Sequence, residues 1–511
     1  MTPMTLARIA QAVNGRLVLN GDHGDDLTVD ALVTDTRKLD ADTSASALFV
    51  AIKGENFDGN DYVAQAAARG ARAALVSRQA DVSIPQIVVA DTERALADLA
   101  VAAQRGRRTK VIAITGSNGK TSVKTLTQAI FERAGSTYAT PGNRNNEIGM
   151  PLAVLDAPED TEFAIYEMGT GKPGDIAYLT RIAPPDIALV NNVAPAHLER
   201  MGSLLEIANT KAAVYDDLSA AGVAAINADD AFARYFAERA HGHRLVRFGL
   251  EATADVTARE IVLDAEGSRF VLVAPEGEAQ IALAMPGRHN VSNALAAAAL
   301  ALGAGIALPV IAAGLNAARP VAGRLNTHRL AGGATLIDDS YNANPGSLKA
   351  AIDTLASSGG ERWLVLGDMR ELGEDAASLH AEVGRRAKAS GIARFYALGA
   401  LSATAAEAFG AGARTFDSHD AVAEALRADI AAYAGGAPAM GAMRKEIAAE
   451  AAPTAASALR ILIKGSRGSA MDRIVKELLA KDLLAKDMHK NEMPKNEMHA
   501  DAAGEGESHA A

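Results

Sequence analysis

The chain has 511 residues, 49% of them hydrophobic and 22% charged, which bounds it to a globular protein of about three domains at roughly 150 residues each. A net charge of −11 argues against nucleic acid as the main partner, since phosphate backbones are met by basic patches. The absence of cysteine excludes disulfides, thiol catalysis and Cys-ligated zinc.

Met1–Leu17 has no apolar core of signal-peptide type. Residues 1–88 read as a small α/β domain, with a helix over 6–13, a strand over 47–52, a helix over 62–69 and a strand over 73–76. Asp35-Thr36-Arg37 falls in a loop between extended segments. Arg37 is by default a surface arginine; near the Lys53-Gly54 turn it could also grip a phosphate bidentately.

Residues 89–322 alternate strand and helix. Strands are expected at 86–90, 111–115, 163–167, 187–190, 223–226 and 244–248, and helices at 92–105, 122–134, 204–218 and 229–239. This is the pattern of a parallel sheet with helices on both faces. Residues 255–285 alternate like antiparallel strands. Ala294–Leu315 carries no charge, but Gly303, Gly305 and Pro309 interrupt it. A spanning helix needs about 20 strongly apolar residues, so two buried helices are expected there. The protein is expected in the cytoplasm, not inserted in a membrane.

A second α/β run covers 323–487, after a hinge at Gly323–Asn326, with strands at 334–337, 362–366, 394–397 and 460–463. Residues 488–511 are repetitive and rich in Gly, Glu, Ala and Ser, and read as a disordered tail.

The most informative stretch is Val111–Ser122. A short β-branched run is followed by Gly116-Ser117-Asn118-Gly119-Lys120-Thr121-Ser122 and then by helical spacing of Val123, Leu126 and Ile130. Strand, glycine loop, Lys-Thr and helix make a phosphate-binding loop. Glycines admit backbone N–H groups to phosphate oxygens, and the helix N-terminus adds positive potential. Lys120 would reach the β/γ-phosphates of a nucleotide and Thr121 would ligate Mg²⁺. Only two residues separate Gly116 from Gly119, where the usual spacing is about four.

Other candidates sit at strand ends. Glu167 closes the 163–167 strand, where a carboxylate would suit Mg²⁺ or simply face solvent. His197 follows the 187–190 strand, and Lys211 lies in the next helix. Asn290 and Asn293 share a helix face and could meet an adenine edge or cap the helix. Asp338-Asp339-Ser340-Tyr341-Asn342-Ala343-Asn344-Pro345 is a polar burst after a buried strand, a site-like loop or an Asx-rich turn.

Together these stretches resemble the Mur ligase family over nearly the whole chain up to about residue 485. The markers are Asp35-Thr36-Arg37-Lys38, Thr115–Thr121, Thr140–Gly149, Ala196-His197-Leu198-Glu199, His289–Ala294, Asp338–Gly346 and Lys464-Gly465-Ser466-Arg467. The Asp338–Gly346 segment resembles the family member that adds D-alanyl-D-alanine.

The resemblance implies a three-domain α/β architecture. A small N-terminal α/β domain (1–88) would take a UDP-linked substrate, a central P-loop parallel-sheet ATPase domain (89–322) ATP, and a Rossmann-like C-terminal α/β domain (323–487) the amino substrate. It implies ATP and Mg²⁺ as cofactors, UDP-MurNAc-tripeptide and D-Ala-D-Ala as small-molecule substrates, and a monomer. By resemblance Thr121 and Glu167 hold one Mg²⁺, His197 helps with a second, Lys211 serves the metal site, and Lys120, His197 and Lys211 are catalytic. Lys211 aligns with a lysine that family members carbamylate, with Ala213 where an acidic residue is common. Asn290 and Asn293 fall where adenine is contacted, Arg324 near the phosphates and Asp339 near the ribose. Asp35, Thr36, Arg37, Asn143, Asn145 and Asn146 fall on the UDP-substrate side. The rivals are a ligase adding the third peptide residue or extending folyl-glutamate, and a nucleotide-gated binding protein without catalysis.

Overall fold

The structure, a computed structural model, describes residues 1–19, 26–40, 46–54, 56–195, 198–264, 266–330, 333–444 and 459–492. Two compact units are distinguished: Met1–Val321 with Glu371–Gly373, and the rest of the chain from Ala322.

The first unit is built on a six-stranded sheet. Its order is Arg244–Phe248, Val223–Asn227, Ile187–Val190, Lys110–Thr115, Phe163–Glu167, Thr137–Ala139, and every pairing is parallel. Successive side chains point to opposite faces. Val111 and Ala113 therefore pack with Tyr166, Val190 and Ile226, while Ile112 and Ile114 pack with Ile165, Leu189 and Val246. Both faces are apolar, which is why these strands read as continuous hydrophobic runs.

From Lys110–Thr115 the chain first builds strands on one side, then crosses to Ile187–Val190 on the other. Such a reversal opens a crevice at the strands' carboxyl ends, the usual ligand position in open α/β sheets. The uncharged 294–315 stretch forms two helices, Arg288–Gly303 and Leu308–Ala317, with Ala294–Ala301 wholly buried. No helix among the described residues is long and apolar enough to cross a membrane.

A five-stranded sheet precedes this one, ordered Arg16–Val18, Gln86–Val88, Ala73–Val76, Ala47–Val50, Ala31–Val33, with only the first pair antiparallel. Thr257–Leu263, Ser268–Ala274 and Gly277–Leu283 form the expected antiparallel sheet. The second unit has its own six-stranded sheet, ordered Asn326–Arg329, Thr335–Asp339, Leu459–Lys464, Glu361–Gly367, Arg394–Leu398, Ala413–Phe416. All its pairings are parallel except the first.

Several elements differ from expectation. The helix after the glycine loop begins at Lys120 rather than Ser122, because Gly119 takes the left-handed conformation at its cap. The 204–218 helix stops at Ala212 and tightens into a 3₁₀ turn, Ala213–Tyr215, whose tyrosine hydroxyl donates to Ala225 O. Asp35-Thr36-Arg37 is ordered as a 3₁₀ turn, Thr36–Lys38, capped by the Asp35 carboxylate. Thr137–Ala139, a half-buried edge strand of three residues, escaped the pattern reading. The last helix runs Asp472–Glu492, so residues 488–492 of the expected tail are helical, and 493–511 lie outside the described residues.

The helix that carries the glycine loop is seated on Leu308–Ala317 through Gly314. A Cβ at Gly314 would lie 2.5 Å from Ile130 Cα, a backbone clash that no rotamer relieves. Overpacking of this kind costs about 1–3 kcal/mol, and a clash with backbone takes the upper part of that range, beyond the ~1 kcal/mol of helix propensity that alanine gains. Gly314→Ala should therefore lower the urea midpoint; an unchanged or raised midpoint would show that the two helices can part without cost.

Candidate active site

The glycine loop leaves the Lys110–Thr115 strand with Gly116 at φ +148° and turns into the helix with Gly119 at φ +79°. A Cβ on Gly119 would lie 2.5 Å from Asn293 Oδ1 and 2.6 Å from Asn191 Nδ2, so glycine is required by space as well as by conformation. No side chain caps the Lys120–Phe131 helix, which leaves the positive end of its dipole to the loop. Lys120 Nζ donates to Gly116 O at 2.6 Å, folding the ammonium back over the loop.

An asparagine belt holds the loop in place. Asn192 Oδ1 accepts from Asn118 N at 2.8 Å, and Asn192 O accepts from Ser117 N at 2.9 Å. Asn191 Nδ2 donates to Asn118 O at 3.0 Å and to Asn293 Oδ1 at 3.1 Å. Asn293 Nδ2 then donates to Asn290 Oδ1, and Asn290 Nδ2 to Pro286 O. Asn290 and Asn293 are both buried, and they tie the Arg288–Gly303 helix to the loop. Asn191 and Asn192 were not singled out as site residues from the sequence. Their signal was available: two amides at the end of a strand adjacent to the loop's own strand.

Glu167 is the second focus. Its carboxylate is buried at the end of its strand, where Oε2 accepts from Thr121 Oγ1 at 3.1 Å and Oε1 accepts from Asn145 Nδ2 at 2.8 Å. Lys124 Nζ lies 3.3 Å from Oε2. A threonine hydroxyl and a carboxylate side by side are hard oxygen donors. They fit Mg²⁺, which takes one or two protein oxygens and completes its shell with phosphate and water. Among the described residues no group of three or more His, Cys, Asp or Glu side chains could hold a metal by itself.

Lys211 is 2% exposed, and among the described residues its ammonium has no hydrogen-bond or ion-pair partner. Burial, reinforced by the charge of Lys120, pushes its pKa well below that of an ordinary lysine. Ala213, where an acidic residue is common, is a buried member of the 3₁₀ turn that follows. His197 lies outside the described residues.

Lys120, Thr121, Glu167 and Asn145 thus come together, with Asn290 and Asn293 joined to the loop through Asn191. Asn146 accepts from Gly149 N at 2.9 Å, just ahead of the Gly149–Asp156 helix, and Asn143 is exposed on the same loop. Asp35, Thr36 and Arg37 lie in the turn that follows Ala31–Val33, the edge strand of the five-stranded sheet. Thr36 is buried against Gln65, and Asp35 pairs with Arg37 at 2.7 Å, whose donors hold the carboxyl down at about 2. Only Arg37 is left exposed.

Arg324 and Asp339 belong to the second unit. The Arg324 guanidinium lies 4.2 Å from the Tyr341 ring centroid. Asp339 accepts from the buried ammonium of Lys464, which also donates to Asn342 O at 2.8 Å. Burial lowers the pKa of Lys464, and Asp339 partly restores it.

Three family models match the chain: the Mur ligase family catalytic domain over residues 41–113, the Mur ligase middle domain over 114–301, and the Mur ligase glutamate ligase domain over 323–467. The UDP-N-acetylmuramoyl-tripeptide–D-alanyl-D-alanine ligase of Escherichia coli is 40% identical over 479 residues, covering 94% of this chain and 99% of the relative. A crystal structure of MurF from Acinetobacter baumannii superposes with a TM-score of 0.82 at 32% identity, covering 94% of this chain and 99% of that one. MurF ligase from Thermotoga maritima, in complex with ADP, gives a TM-score of 0.76 at 26% identity over 90% and 99% of the two chains.

The belt yields a direct test. Asn191→Ala removes the donor shared by Asn118 O and Asn293 Oδ1. A loop that must re-order on binding loses affinity, so ADP affinity measured by calorimetry should fall roughly tenfold or more. Unaltered ADP affinity in the folded variant would show that the loop holds its shape without the belt.

Proposed function

The chain belongs to the Mur ligase family, and from that premise we propose that it joins D-alanyl-D-alanine to UDP-N-acetylmuramoyl-tripeptide, with ATP as the energy source, in the making of peptidoglycan precursors. The match to the E. coli ligase along nearly the full length of both chains carries this reading over the other ligases of the fold.

A carboxylate is a poor electrophile. Attack of its oxygen on the γ-phosphorus of ATP releases ADP and leaves an acyl phosphate. The amine nitrogen of the dipeptide then forms a bond to the acyl carbon, inorganic phosphate departs with the C–O electron pair, and the nitrogen loses a proton. The chain's part is positioning and charge. The glycine loop and helix N-terminus cradle the phosphates, and Lys120 swings from Gly116 O onto the transferring phosphoryl group. Mg²⁺, held by Thr121 and Glu167 with His197 and Lys211 contributing, would offset the negative charge of the phosphates. Asn145 and its neighbours Asn143 and Asn146 face the acyl substrate, and Arg37, oriented by Asp35 and Thr36, takes the UDP moiety.

In the same reading residues 1–88, 89–322 and 323–487 serve the UDP-substrate, ATP and the dipeptide in turn. Asn290 and Asn293 border the adenine, and Arg324 and Asp339 serve the phosphates and ribose. The enzyme works as a cytoplasmic monomer.

Lys211 is carbamylated in this scheme. Its buried neutral amine attacks carbon dioxide, forms an N–C bond and releases a proton. The product replaces a buried cation with hard anionic oxygen, the donor Mg²⁺ prefers.

Phosphate release should require ATP, UDP-MurNAc-tripeptide and D-Ala-D-Ala together. Turnover with another amino acceptor and none with D-Ala-D-Ala would reject the assignment. Lys120→Ala should fold normally and lose ligation; near wild-type turnover at saturating ATP would displace Lys120 from the phosphates. Lys211→Ala should lose most activity, with partial recovery on adding a short-chain carboxylic acid. Lys211→Arg keeps the wrong charge and should stay inactive. Full activity in the arginine variant would exclude the carbamate.

A further inference from the structure

Lys124 has no place in the chemistry described so far, yet it is 5% exposed and lies one helical turn beyond Lys120. Its surroundings use it completely. An ammonium has three N–H donors, and Lys124 Nζ meets three acceptors: Thr140 O at 2.8 Å, Gly142 O at 3.1 Å and Glu167 Oε2 at 3.3 Å. Burying a lysine merely to fill space would be costly, and an apolar side chain would do it better. The three partners lie on two separate pieces of chain. Glu167 ends a strand, while Thr140 and Gly142 begin the loop that carries Asn145.

The same loop is tied to Glu167 twice more, once at its backbone amide and once at its carboxylate. Thr140 Oγ1 accepts from Glu167 N at 3.1 Å, and Asn145 Nδ2 donates to Glu167 Oε1 at 2.8 Å. Glu167 Oε2 is shared between Lys124 and Thr121, the residue beside the phosphate-contacting lysine. The glycine-loop helix, the Glu167 carboxylate and the 140–145 loop therefore form one closed circuit, and Lys124 is the helix residue that reaches both the carboxylate and the loop.

We propose that Lys124 is a positioning residue: it fixes the Glu167 carboxylate against Thr121 and, through the 140–142 carbonyls, sets Asn145 in the same frame, so that the nucleotide side and the acyl-substrate side of the site are held in register. It acts through Glu167 and touches neither substrate. This deepens the ligase reading above and rests on it for the turnover measurements alone.

The test uses the full-length protein with Lys124→Met, which removes all three contacts, and Lys124→Gln, whose amide can still donate to the two carbonyls but carries no charge. ADP raises the melting temperature of the wild type in two parts, one without Mg²⁺ and one added by Mg²⁺. In both variants the Mg²⁺-free part should remain, because the loop backbone supplies it, and the Mg²⁺-dependent part should shrink or vanish. Turnover should show kcat reduced roughly tenfold or more with KM for ATP within about threefold of wild type, the signature of an interaction needed at the transition state. Combining Lys124→Met with Asn145→Ala should cost little more than the worse single change, because both act through one carboxylate.

A folded variant that keeps the Mg²⁺-dependent shift and wild-type kcat overturns the proposal. So does equal loss of both parts of the ADP shift, or failure of both variants to fold, since either makes Lys124 a purely structural residue. A wild type that binds Mg²⁺ and ADP but does not turn over D-Ala-D-Ala would reject the ligase assignment and leave the thermal-shift arm intact.

Discussion

One buried carboxylate, Glu167, is the point on which the first unit's site depends. It receives Thr121 from the glycine-loop helix, Asn145 from the neighbouring loop and Lys124 from below. A carboxylate in so little water is tolerated only when its lone pairs are met and its charge is balanced. Here Thr121 and Asn145 meet the lone pairs and Lys124 balances the charge. The electrostatic requirement of burial thus fixes the geometry of the site, because no partner of Glu167 can shift without exposing an uncompensated charge to the protein interior.

The sheet supplies the second constraint. Parallel strands end together, and the chain's reversal at Lys110–Thr115 opens the crevice at that end. The glycine loop must enter the crevice with two glycines in conformations other residues avoid, and must then be held there. The belt of Asn191, Asn192, Asn293 and Asn290 does this: Asn192 accepts from the Ser117 and Asn118 amides, and Asn191 donates to Asn118 O and is joined through Asn293 to Asn290. Asparagine suits the task because one side chain offers both donor and acceptor without a charge that would compete with the ligand.

How much of this was legible in the sequence follows from how local each signal is. The buried strands 163–167 and 187–190 are runs whose boundaries coincide with a change in hydrophobicity, and both ends match the structure. Lys120, Thr121 and Glu167 were legible because they sit at fixed offsets from such strands. Thr137–Ala139 was not, since an edge strand of three half-buried residues has neither length nor period. The asparagine belt spans 102 residues of sequence between Asn191 and Asn293, and no local pattern reports a contact of that range. Lys124 was hidden for the opposite reason: a lysine on a helix reads as a solvated side chain, and only the fold reveals three acceptors around it.

The buried cations make the last comparison. Lys124 is balanced by Glu167, and Lys464, in the second unit, by Asp339. In each case the ammonium also donates to backbone carbonyls, so its desolvation is met by both charge and hydrogen bonds. Lys211 is as deeply buried as Lys464 and has neither kind of partner among the described residues. An isolated ammonium ion in that position would carry a penalty of several kcal/mol, comparable with the whole stability of a domain. Burial, with the charge of Lys120, lowers the pKa of the group well below that of an ordinary lysine, which shifts the balance toward the neutral amine and limits that penalty. A neutral amine is a nucleophile where an ammonium is not. A buried amine with no such partner among the described residues is the setting that the proposed carbamylation beside the phosphate loop requires.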